Sequence, residues 1–127
     1  VGAPRRVREV VKPGHDQLRA LYQSSYALVF PSYSEGFGWP VIEAQACGAL
    51  VVASTVMPIP EVGGDGALYC DPDSPAQFAE ALRTLADTSV ASDLRARAAR
   101  NADRFDRAVV ASHYVALYRE VAAGASD

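Results

Sequence analysis

The sequence predicts an α/β domain built on a parallel sheet, and three observations predict it. Apolar runs of strand length, Ala27 to Phe30, Leu50 to Ala53 and Leu68 to Cys70, alternate with segments of helical periodicity. The Pro and Gly residues fall between those segments, where turns belong. Half of the 127 residues are apolar, enough to build a core of ordinary domain size. Strands alternating with helices imply parallel pairing through right-handed crossovers, with helices covering both faces of the sheet in a Rossmann-like arrangement.

The elements follow in order. Val7 to Val11 reads as a first short strand, closed by Pro13-Gly14. Asp16 suits the N-cap of a helix to about Ser24, with Leu18, Leu21 and Tyr22 on one face. The runs Ala27 to Phe30 and Leu50 to Ala53 are short enough to be buried strands. Between them lie a Gly-rich loop and a helix, with Pro40 at the first helical position and Gly48 just past the end. Glu61 reads as a helix-start carboxylate, and the turn-rich Gly63-Gly64-Asp65-Gly66 leads into Leu68 to Cys70.

From about residue 75 to 122 only helices are expected. Ser74-Pro75 opens one to about Ala86, striped with Phe78, Leu82 and Leu85; Ser92 or Asp93 caps another toward Phe105. The last runs from about Arg107 to Ala122, with Val110, Leu117 and Val121 at helical spacing and Tyr114 and Tyr118 read as core. Four strands are few for such a sheet, and an open edge is normally covered. Further strands are therefore expected upstream, and residues 1–127 read as part of a domain.

Charge and cysteine usage exclude several functions. The net charge is −3 with a pI near 5.3, which argues against nucleic acid as the main partner, because phosphate binding needs a concentrated positive surface. Two basic stretches, Arg5-Arg6 with Arg8 and Arg95 to Arg104, leave room only for a peripheral membrane contact. Cys47 and Cys70 lack metal-ligand spacing, so no metal site is expected; their apolar surroundings read as reduced, buried thiols in a cytoplasmic protein. No apolar run approaches membrane-spanning length.

The chemistry is concentrated in Phe30-Pro31-Ser32-Tyr33-Ser34-Glu35-Gly36-Phe37-Gly38-Trp39-Pro40-Val41-Ile42-Glu43-Ala44. In a parallel sheet ligands sit beyond the carboxyl ends of the strands, and this loop leaves one strand there to feed a helix. Gly36 and Gly38 let backbone approach a ligand, and the helix N-terminus attracts an anion such as a diphosphate. Pro40 has no N–H, so Trp39 and Val41 are the expected backbone donors. Glu43, in the first helical turn, can accept from vicinal hydroxyls such as those of ribose, and Glu35 can reach the other end of an extended ligand. Taken singly, Glu43 reads as a solvated carboxylate, Glu35 as a turn residue, Phe37 and Trp39 as packing aromatics and His15 as a surface histidine.

The run Glu35-Gly36-Phe37-Gly38-Trp39-Pro40-Val41-Ile42-Glu43-Ala44 resembles the signature of the group 1, family four retaining glycosyltransferases of GT-B architecture. The likeness continues through Leu18 to Tyr22, Leu28 to Ser32, Glu43 to Gly48, Pro60 to Ala67 and Asp71-Pro72, and so covers most of the chain from Val7 to Tyr118. The resemblance implies hexosyl transfer from an NDP-sugar to a sugar, lipid or other acceptor, with retained configuration and no obligatory metal or other cofactor. It implies that Glu35 is the catalytic carboxylate at the donor sugar, that the Phe37 and Gly38 N–H groups hold that sugar, with Gly36 just ahead of them also at the donor, that the Trp39 N–H takes a phosphate, that Glu43 binds ribose, and that His15 lies near the base.

Two features of the family have no counterpart in these 127 residues: an upstream Arg and Lys pair and the N-terminal acceptor-binding domain. The chain is accordingly expected to be the donor-binding part of a cytoplasmic enzyme, inactive alone and able to reach a membrane through that other half. The alternative is a free-standing nucleotide-sugar-binding module; an epimerase of the same architecture is disfavoured by the Glu pair.

Overall fold

A computed structural model describes residues 7–124. Arg5 and Arg6 lie outside them. Three strands, β1 (Ala27–Phe30), β2 (Leu50–Ser54) and β3 (Leu68–Cys70), form one parallel sheet in the order β1-β2-β3. Ala27 stands beside Leu50 and Val52 beside Leu68. The helices are α1 (His15–Ser24), α2 (Trp39–Ala46), α3 (Ile59–Gly63), α4 (Pro75–Thr84), α5 (Thr88–Asp103) and α6 (Arg107–Gly124), with a short 3-10 turn at Gly64–Gly66.

The central strand explains the core. All five β2 residues are buried, and their alternation sends Val51 and Ala53 to one face and Leu50 and Val52 to the other. On the first face they meet Val41 and Ala44 of α2, Ile59 of α3 and the ring of Tyr22 from α1. On the second they meet Phe78 of α4, Leu85, and Ala91 and Leu94 of α5. Two helical layers therefore enclose one sheet, as the apolar run of β2 requires.

A buried polar network ties α2, α3 and α5 together. Asn101 Nδ2 donates to Gln45 Oε1 at 2.7 Å and to the Val62 carbonyl at 2.9 Å. Gln45 Nε2 donates to the Gly63 carbonyl at 2.8 Å, and Arg104 Nη1 donates to Asn101 Oδ1 at 2.7 Å. The carbonyls at the end of α3, which have no acceptor role within that short helix, are satisfied by side chains instead. Close beside them α5 passes over Gly66, where a Cβ would stand 2.5 Å from Ala98 Cα.

Several expected elements differ. Val7 to Val11 is irregular chain rather than a strand; Val7 is 87% and Val11 71% exposed, and the described sheet offers them no pairing. Helix α1 begins at His15 behind Gly14, so Asp16 lies in its first turn rather than at its cap. Trp39, not Pro40, opens α2. The cap of α5 is Asp87, whose side chain accepts from the Ser89 and Val90 N–H groups, five residues ahead of Ser92. In α6 no residue is buried, and Tyr114 and Tyr118, read from sequence as core, are 57% and 69% exposed. Cys70 is buried as expected but Cys47 only half so, and both are free thiols. The Ser74 cap of α4, the Phe78 and Leu85 stripe and the Gly48 stop stand where the sequence put them.

Candidate active site

The loop after β1 is pinned from two sides. The hydroxyl of Ser54, fully buried at the end of β2, donates to the Ser32 carbonyl at 2.7 Å. Tyr33 reaches across to the turn after β3, its hydroxyl donating to Asp73 Oδ1 at 2.9 Å. Between these anchors the Ser32 hydroxyl donates to Glu35 Oε1 at 2.7 Å, so the half-buried carboxylate is held against the loop that carries it.

The loop then turns sharply into α2. Gly38, the N-cap, has φ +103° and lies buried against Ile59 and Val62. That backbone conformation favours glycine over any residue bearing a Cβ. At Gly36 a Cβ would meet nothing within 4 Å, so space there is open. Among the described residues the Gly36, Phe37, Gly38 and Trp39 N–H groups have no backbone acceptor, whereas the Val41 N–H donates to the Gly38 carbonyl at 3.0 Å. Of the two expected donors, Trp39 is thus available and Val41 is engaged in closing the helical turn. The Trp39 side chain is 59% exposed and leans on Phe37, with ring centroids 4.9 Å apart, and Phe37 meets Phe105 edge-on at 6.0 Å.

Glu43 is the fifth residue of α2, past the first turn where the sequence reading put it. Its exposed carboxylate accepts from the Tyr22 hydroxyl at 3.2 Å. Burial first, and the negative charge of Glu43 second, push the Tyr22 phenol up to about 12, so it stays a proton donor at any neutral pH. Glu43 lines a cavity of about 260 Å³ with His15, Leu18, Tyr22 and Cys47, and also borders a larger one of about 510 Å³ with Trp39, Ile42 and Phe105. The structure therefore brings His15 and Glu43 into one cavity; Glu35 lies outside both.

Sequence reasoning missed Ser32, Ser54 and Tyr22. Tyr22 carried a signal, being a polar-tipped aromatic on the inward face of α1, but its bond to Glu43 spans 21 positions. Among the described residues no group of three His, Cys, Asp or Glu is placed to hold a metal, and no helix is long and apolar enough to cross a membrane.

A family description, "Glycosyl transferases group 1", matches residues 7–105. The chain belongs to the group 1 glycosyl transferases. Like the motif resemblance, this membership covers the β1–α2 loop, α2 and the sheet together. Among relatives of this group 1 glycosyl transferase chain, an O-antigen chain mannosyltransferase B from Escherichia coli is 42% identical over 91 residues, covering 71% of this chain and 24% of the relative. A D-inositol 3-phosphate glycosyltransferase from Streptomyces bingchenggensis is 36% identical over 112 residues, covering 86% and 25%. Among solved structures, a sucrose-phosphate synthase from Thermosynechococcus elongatus superposes with a TM-score of 0.77 at 29% identity, over 91% of this chain and 30% of that one. The α/β, Rossmann-like layering expected from the sequence is thus the layering of a glycosyltransferase domain. The chain spans about a quarter of the length of the two curated relatives.

Proposed function

We propose that this chain is the donor-binding part of a retaining glycosyltransferase that moves a hexosyl group from an NDP-sugar to a sugar, lipid or other acceptor. The observation that carries the reading is the placement of two carboxylates around one helix N-terminus: Glu35 ahead of it on an anchored loop, Glu43 behind it on α2, with unclaimed backbone N–H groups between them. A nucleotide sugar has the matching order of parts, with hydroxyls at each end and an anion in the middle.

On this reading Glu43 accepts from the ribose hydroxyls and His15, across the same cavity, lies toward the base. The diphosphate lies at the start of α2, where the Trp39 N–H and the helix dipole meet its charge without a metal. The Phe37 and Gly38 N–H groups bond the sugar, and the open space at Gly36 leaves room for it. Glu35 faces the sugar and stabilises the positive charge that develops at its anomeric carbon as the leaving diphosphate departs. The acceptor-binding site and the remaining positive charge for the diphosphate come from an N-terminal domain of the same protein. The shares of its relatives that the chain covers, 24% and 25%, support that division.

Calorimetric titration of the full-length protein with UDP, GDP and ADP tests the reading. One nucleotide should bind in preference to the others, and Glu43→Ala should weaken it by roughly 10-fold or more, as expected for losing hydrogen bonds to a charged acceptor. Equal binding to the original protein and to Glu43→Ala would place the ribose elsewhere and overturn the assignment.

A further inference from the structure

We infer that Tyr22 is a positioning residue of the donor site, its hydroxyl fixing the Glu43 carboxylate in the orientation that reads the ribose hydroxyls. The inference rests on the ribose role proposed for Glu43. Glu43 is exposed, and the Tyr22 hydroxyl at 3.2 Å is the side-chain hydrogen bond that restrains it. A glutamate left free in solvent samples many rotamers, and ordering it opposes binding.

Tyr22 is suited to this restraint in three ways. Its ring packs into the cluster formed by Val41, Ala44 and β2, so its position is set by the core rather than by solvent. Its phenol stays protonated, with its pKa raised mainly by burial, so it always has a hydrogen to give. It lines the same 260 Å³ cavity as His15 and Glu43. A carboxylate has two oxygens and about four acceptor sites. With Oε2 bonded to Tyr22, Oε1 stays open to a vicinal diol. The bond therefore preorganises an acceptor and leaves its capacity intact.

Because Tyr22 acts through Glu43, its effect should appear as lost ribose discrimination rather than as a uniform loss of affinity. The test is titration of the full-length protein with UDP, GDP and ADP and with their 2′- and 3′-deoxy counterparts, comparing the original protein, Tyr22→Phe, Glu43→Ala and the double variant. Tyr22→Phe keeps the packed ring, and matching thermal unfolding curves confirm that the fold is intact. Tyr22→Phe should weaken the ribonucleotide roughly 3- to 10-fold, change the deoxynucleotides less than about 2-fold, and add nothing in the Glu43→Ala background.

Equal weakening of ribo and deoxy forms, or an additional loss on top of Glu43→Ala, would overturn the positioning role while leaving Glu43 as the ribose acceptor. No ribose discrimination by the full-length protein, or no binding of any nucleoside diphosphate to it, would overturn the donor-site reading and this inference with it.

Discussion

Replacing Asn101 with leucine probes the polar network beneath the site. Asn101 is 4% exposed, and Leu has the same number of side-chain heavy atoms with the same branching, so the substitution removes bonds without opening a cavity. It takes the donor from Gln45 Oε1 and from the Val62 carbonyl, and the acceptor from Arg104 Nη1. Arg104 is exposed and can turn to water, so its loss costs little. The other two acceptors are enclosed by α2, α3 and α5, and each buried group left unpaired costs about 1–3 kcal/mol. Asn101→Leu should therefore destabilise the fold by about 2–6 kcal/mol. At this chain length each kcal/mol lowers Tm by roughly 4 °C, so a fall of about 8–24 °C is expected. Thermal and urea unfolding followed by circular dichroism measure it. The double variant Gln45→Leu/Asn101→Leu, which removes both sides of one bond, should lose less than the sum of its singles. A change below about 0.5 kcal/mol in Asn101→Leu, or strict additivity in the double, would show that the network contributes nothing beyond packing.

Four further outcomes are expected. Gly66→Ala sets a Cβ against the backbone of α5 and should cost about 1–3 kcal/mol, read from the urea midpoint. Gly38→Ala forces a side chain into φ +103°; it should lower stability by about 1–3 kcal/mol and weaken nucleotide binding by calorimetry. Ser54→Ala releases the Ser32 carbonyl and with it the loop bearing Glu35; if the proposed donor-site roles hold, turnover by the full-length protein should fall while UDP, GDP or ADP affinity, assigned to Glu43, changes little. Alkali should destabilise the fold: Tyr22 and Tyr69 are both raised from 10.0 to about 12, so their contribution is intact below pH 10 and lost as pH rises through 12. Tyr69→Phe should flatten that decline in a series of urea midpoints.

What the sequence made legible is what depends on near neighbours along the chain. The β1–α2 loop, the Ser74 cap and the Gly48 stop are set by residues within a turn of one another, and each stands where expected. The apolar β2 run leaves little choice but a central strand. The errors are of another kind. Val7 to Val11 has strand composition, but a strand exists only through its ladder, and none of the described strands pairs with it. Tyr114 and Tyr118 have core spacing on α6, yet burial needs an opposing surface, and helical periodicity alone says nothing of one. Asp87 and Asp93 are equal as caps by residue type; the choice between them lay in Ser89 and Val90 offering their N–H groups to Asp87. The site divides in the same way. Its carboxylates and glycines were legible as a contiguous motif, as was the nearness of Ser32 to Glu35 three positions on, while Tyr22, which bonds Glu43, and Ser54, which bonds the Ser32 carbonyl, act across 21 and 22 positions and become visible only once the chain is folded.

The alternation of β2 has a consequence for how such a chain can diversify. Val51 and Val52 are adjacent in sequence, yet one belongs to the cluster beneath α1 and α2 and the other to the cluster beneath α4 and α5. Substitutions at Val51 are felt against α1, α2 and α3, and those at Val52 against α4 and α5, so the two helical layers can be repacked one at a time over a single strand.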